Sequence, residues 1–229
     1  MFELIDDILI NSDWHLNHKN IWIYEFEKRQ IFINKEKYSN INSKKDLENF
    51  YNKNELEWNK DLNTKFYLDT EYNMLLRIKK DLKNILQNYT IKEYINLGDF
   101  LFNISENKIQ EYTKTKNYEL VLEIFNIFKK KNINTTLFLG NHDNPKFVTF
   151  YYNFFNNIKE YEYNNGILLS HYPFNKDNIF FQKIKNIDYI ENNIKLSIHW
   201  HTHNNIPKEL KDERYKHIKY VNMSIEKFI

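Results

Sequence analysis

The sequence predicts an α/β fold. Short apolar runs of β type alternate with longer segments whose apolar residues recur at helical spacing, and several chemistry-bearing residues stand directly after the ends of the apolar runs. The later runs follow one another with short connections, as a second sheet requires.

The first run, Ile8 to Asn11, leads into Ser12-Asp13-Trp14-His15 and reads as a strand ending in a loop. Residues 21 to 72 are polar and rich in Lys, Glu and Asn, with scattered aromatics; this stretch is expected to be helical or irregular. Leu75, Leu76, Ile78, Leu82, Ile85 and Leu86 predict an amphipathic helix up to about Asn88. Tyr94 to Leu97 predicts a second strand, ending at Gly98-Asp99. Leu120, Val121, Ile124, Phe125, Ile127 and Phe128 again have helical period, and Lys129 to Lys131 suit a helix C-terminus. Thr135 to Leu139 is the third strand, followed by Gly140-Asn141-His142-Asp143. Ile167 to Ser170, Ile194 to Ile198 and Ile218 to Met223 read as three more, and the first two of these lead to His171 and to His199-Trp200-His201-Thr202-His203.

Composition narrows the chemistry. With 229 residues the chain suits one domain carrying an elaboration. Lys+Arg 33 against Asp+Glu 31 gives a net charge of +2, so no global field draws it to nucleic acid or an anionic membrane. Absence of cysteine excludes thiolate catalysis and a zinc finger, leaving metal ligation to His, Asp, Glu and Asn. Alanine is absent and glycine occurs 3 times, so each glycine is expected to hold a backbone position that tolerates little else. The opening MFELIDDILINSDW has acids within its apolar stretch and no basic start, unlike a secretory signal, and no run reaches the ~18 apolar residues of a membrane span. A cytoplasmic protein without a membrane partner is the plain expectation.

Each fragment is weak alone. Asp-x-His is common, Gly-Asp suits a turn, and a single His after a strand is usually a structural hydrogen bonder. Their order is specific: Asp13-x-His15, Gly98-Asp99, Gly140-Asn141-His142-Asp143, His171 and His201-x-His203, each after its own strand. This series resembles the calcineurin-like metallophosphoesterase superfamily over nearly the whole chain. Ser12 to Ile21, Leu97 to Phe100 and Leu169 to Pro173 look closest to its small bacterial and phage-type branch.

The resemblance implies a single domain with a two-sheet, four-layer sandwich flanked by helices and an insertion or cap at about residues 22 to 72. It implies two divalent ions, Mn foremost, with Fe, Zn, Ni or Co as alternatives. Asp99 would bridge them; Asp13, His15 and His203 would complete one site, and Asn141, His171 and His201 the other. This mixed imidazole, carboxylate and amide set suits those metals better than Mg or Ca. Metal-activated hydroxide would attack phosphorus in line, with His142 assisting the leaving group and Asp143 orienting its ring. Two residues apart on extended chain, His201 and His203 would point the same way.

Lower in weight, His18 and Trp200 are candidate substrate contacts, although His18 equally suits a loop cap. Trp200 replaces the glycine usual before His-x-His, placing a bulky indole where positive φ would be costly. His199 suits packing and His217 solvent.

A phosphomonoester or phosphodiester substrate is expected, with a nuclease or cyclic-nucleotide phosphodiesterase as the alternative. Scattered rather than aligned lysines disfavour duplex binding, while aromatics leave room for a nucleotide or short single strand. A non-catalytic scaffold of the same fold is the remaining alternative, against which the complete motif set argues. A homodimer is compatible with all of these.

Overall fold

The computed structural model describes residues 2–56, 60–102, 105–199 and 212–222. The chain divides into two compact units. The first comprises Met1–Trp14, Thr90–Asn103 and Lys131–Ile229; the second comprises His15–Tyr89 and Ile104–Lys130.

The first unit contains two mixed sheets. The larger orders β1 (Glu3–Ile5), β2 (Ile8–Asn11), β3 (Glu93–Asn96), β4 (Asn134–Phe138) and β5 (Asn157–Lys159) side by side, and all its neighbours except β1 and β2 are parallel. The smaller orders β6 (Tyr161–Asn164), β7 (Ile167–Ser170), β8 (Leu196–His199) and β9 (Lys219–Asn222), antiparallel only between β6 and β7. Ile10, Ile95, Leu97 and Phe138 from the first sheet's strands pack with Ile198 of the second, and Leu169, Leu196 and Val221 close around them. Burying each of these side chains contributes roughly 1.5–3 kcal/mol, enough to fix the sheets face to face. The α/β class and the paired mixed sheets agree with the sequence expectation.

Register is what positions the chemistry. Asn11 pairs with Asn96, and Asn96 with Leu137, so β2 and β3 end level and β4 one residue beyond them. The three loops that follow therefore leave one edge together. In the smaller sheet Leu169 lies level with Ile198, and His199 with Asn222.

Three strands escape the sequence pattern. β1, β5 and β6 are short and half-exposed with polar residues, so they lack an apolar run.

The second unit is helical: α1 (Ile21–Tyr24), α2 (Phe26–Arg29), α3 (Lys44–Leu56), α4 (Lys60–Asn88), α5 (Glu106–Tyr112) and α6 (Lys116–Lys130). α4 starts well before the expected apolar stripe and runs for 29 residues. In α6 the predicted face is the buried one, Leu120, Val121, Ile124, Phe125 and Phe128. The scattered aromatics of residues 21 to 72 largely form this unit's own core: the Phe66 ring meets Tyr38 at 4.9 Å, Phe50 at 5.5 Å and Tyr51 at 5.9 Å. Trp22 and Phe26 are buried as well, whereas Tyr24 is 69% exposed. Exposed aromatic surface is thus far smaller than the sequence suggests.

Candidate metal centre

Asp13 and Asp99 both adopt left-handed backbone, with φ of 51° and 52°. Such conformations cost a non-glycine residue ~1–3 kcal/mol and persist where the surroundings enforce them. Here Asp13 N donates to Gly98 O at 3.1 Å, and Gly98 N donates to the Asn96 side chain at 3.0 Å. The first of these bonds ties the two loops to each other, and the second braces the turn at Gly98.

Gly98 and Gly140 leave no room for a side chain. A Cβ on Gly98 would lie 2.6 Å from His171 Nδ1 and 2.8 Å from Gly140 N, at a φ of +104°. One on Gly140 would collide with Asp99 Oδ1 and lie 2.5 Å from Asp99 N. Two of the chain's three glycines thus serve close backbone approach around Asp99 and His171.

His171 is fully buried, and its Nδ1 donates to Leu97 O at 2.9 Å. That bond sets the ring's direction and turns Nε2 toward the Asn141 and Asp99 side chains. Nε2 lies 3.0 Å from Asn141 Oδ1 and 3.4 Å from Asp99 Oδ2. An oxygen of Asp13 comes within 4.8 Å of one from Asp99, and both residues are buried. Carboxylate oxygens, an amide oxygen and an imidazole nitrogen therefore converge, with Asp13, Asp99 and His171 buried and Asn141 at the exposed side. Such electron-rich groups resist burial together unless a cation neutralises them, and the donor set fits a transition-metal ion.

His142 N donates to Asp99 Oδ1 at 3.0 Å, and His142 Nε2 lies 4.0 Å from Asp99 Oδ2. The side chain is 29% exposed, so it borders the centre with solvent access. Phe102, with no counterpart among the sequence candidates, sets its ring 4.9 Å from that of His142 at an interplanar angle of 41°.

Asp143, one residue further along the loop, is buried. Its carboxylate accepts from Gly140 N at 3.0 Å, Leu101 N at 2.9 Å and Phe100 N at 3.3 Å. The side chain thereby joins two loops through their backbones. Burial, reinforced by the nearby Asp99 charge, pushes its pKa up to about 7, while the three amide bonds act against that rise.

His15 and His18 belong to the helical unit. His15 is buried with a φ of 46°, and ring nitrogens of the two lie within 4.8 Å of one another. His18 Nδ1 accepts from Ile21 N at 3.1 Å, which gives this residue the loop-capping geometry. His199 ends β8 fully buried, with Tyr220 at 6.0 Å between ring centroids, and His217 is exposed. Trp200, His201 and His203 lie outside the described residues.

Parallel strands ending in buried carboxylates and a buried imidazole, with an amide oxygen beside them, define an α/β protein with groups that could hold a metal ion. The chain belongs to the calcineurin-like phosphoesterase family, whose model matches residues 7–222. Among solved structures it is similar to a protein of unknown function from Aquifex aeolicus, with 20% identity, a TM-score of 0.51, and coverage of 96% of this chain and 91% of that one. That likeness concerns the fold. No curated protein matches the chain. Among the described residues no helix is long and apolar enough to cross a membrane.

Proposed function

We propose that the protein is a binuclear metal-dependent phosphoester hydrolase of the small bacterial and phage-type branch. The observation that carries this reading is the His171 ring, held through Nδ1 so that Nε2 faces Asn141 Oδ1 and Asp99 Oδ2. Asp99 would be shared between the ions, with Asp13, His15 and His203 on one and Asn141, His171 and His201 on the other. When bound, the ions, Mn foremost, would supply a water of lowered pKa and neutralise charge on the phosphoryl group.

The chain's own groups do the rest. His142 stands at the solvent-accessible margin, where an imidazole can hand a proton to a leaving oxygen. Its backbone amide, bonded to Asp99, keeps the ring near the cluster. Phe102 limits the ring's freedom from one side. Asp143 keeps the Asp99 and Asn141 loops together through backbone amides. The substrate would be a phosphomonoester or phosphodiester, and residues 22 to 72 an elaboration on the common domain.

Hydrolysis of p-nitrophenyl phosphate and bis-p-nitrophenyl phosphate, with manganese and with chelator, tests the reading. Manganese-dependent turnover of either ester that falls roughly 100-fold or more in His142→Ala is expected. A metal-loaded protein inert toward both, and no different from His142→Ala, would favour a non-catalytic scaffold.

A further inference from the structure

The helical unit contains a cavity of about 310 Å³ that the hydrolytic centre does not use. Its size falls at the small end of the ~300–1,000 Å³ typical of ligand sites. Four segments supply its wall: the loop from His15 to Asn20 gives Asn17 and Lys19, α4 gives Thr64 and Tyr67, α5 gives Lys108, and the link to α6 gives Thr115.

One buried carboxylate ties these elements together. Glu71 of α4 accepts from Asn17 N at 2.6 Å, from Tyr112 Oη at 3.1 Å and from Asn117 Nδ2 at 2.8 Å. It is 2% exposed, and burial is the main influence raising its pKa. A buried carboxylate is costly unless its bonds are complete. What its bonds achieve is to hold Asn17 in left-handed backbone, φ 61°, and to anchor α5 and α6 against α4. Tyr67 Oη then donates to Asn17 Oδ1 at 3.0 Å, which orients the amide.

The donors left over share one character. Among the described residues, the Lys19 and Lys108 ammonium groups, Asn17 Nδ2 and the Thr64 hydroxyl have no hydrogen-bond or ion-pair partner. Glu111 contributes the single carboxylate of the lining. Two cations from different elements, with neutral donors on the same half-open wall, match an oxyanion of several oxygens better than a single carboxylate. Tyr67 adds ring surface for the body of the ligand.

We propose that this cavity binds the phosphate group of a small phosphorylated compound of mononucleotide size.

Calorimetric titration of the protein with adenosine 5′-monophosphate and, separately, inorganic phosphate tests this. The comparison is made in an Asp99→Asn background, so that the site is read apart from the hydrolytic centre proposed above. Binding should persist in that background, weaken tenfold or more in Lys19→Met/Lys108→Met, and tighten a few-fold in Glu111→Gln, because each change alters the charge facing the anion. All three cavity substitutions lie on hydrophilic side chains of the wall and spare the Glu71 bonds. Tighter binding of the nucleotide than of phosphate supports a site that also holds the ligand's body, and equal affinities support one for phosphate alone. An affinity unchanged within twofold by the lysine substitutions, or no binding of either probe at millimolar concentration, overturns the assignment. Loss of hydrolysis in the parent protein without loss of this binding would count against the centre and not against the cavity.

Discussion

His171 Nδ1 and the Leu97 carbonyl oxygen are 2.9 Å apart, so a backbone group at the end of β3 sets the direction of an imidazole at the end of β7. The bond links the two sheets at the cluster itself. Replacing His171 by Ala should lower manganese affinity tenfold or more while leaving the fold intact, as read by equilibrium dialysis with circular dichroism alongside. Unchanged affinity would remove His171 from the ligand set.

Gly140→Ala places a methyl group against the Asp99 carboxylate and backbone. Because the obstacle is backbone as well as side chain, relief requires the loop to move. A loss of ~1–3 kcal/mol in denaturant unfolding is expected, together with weaker metal binding.

Asp143→Asn presents an amide group to three backbone donors that now share a carboxylate. At least one donor is left without an acceptor, so stability should fall by ~1–3 kcal/mol. If Asp143 acted instead by orienting the His142 ring, turnover would fall with little change in stability. Parallel unfolding and kinetic measurements separate the two.

Glu71 gives a pH dependence with a defined sign. Burial raises its pKa above 4.5 in the folded chain, so the folded state binds more protons than the unfolded state across that interval. The stabilisation is complete below 4.5 and is lost as pH rises through the folded value. Denaturant unfolding followed from pH 4.5 upward should show a declining contribution that is missing in Glu71→Gln.

The sequence carried the strands that bear chemistry, because a buried parallel strand needs an apolar run and Ile8 to Asn11, Tyr94 to Leu97 and Ile167 to Ser170 supply one. It also carried the value of Gly98 and Gly140, since scarcity singled them out. It could not show that Asp143 would spend its oxygens on Phe100, Leu101 and Gly140, about 40 residues away in two of the three cases, because no spacing rule encodes such bonds. Phe102 is an aromatic three residues after Asp99 in a chain full of aromatics, which hides it. The Glu71 network draws on three distant segments and leaves no local pattern. Likewise, the rings around Phe66 look like loose surface aromatics until α3 and α4 bring them together.

The count of manganese ions per chain in wild type and in Asp99→Asn, measured by inductively coupled plasma mass spectrometry after gel filtration, tests the proposed shared centre most directly. Two ions in the wild type and a clear loss from both positions in the variant are expected. Two ions retained by Asp99→Asn, or a wild type that never holds more than one, would contradict it.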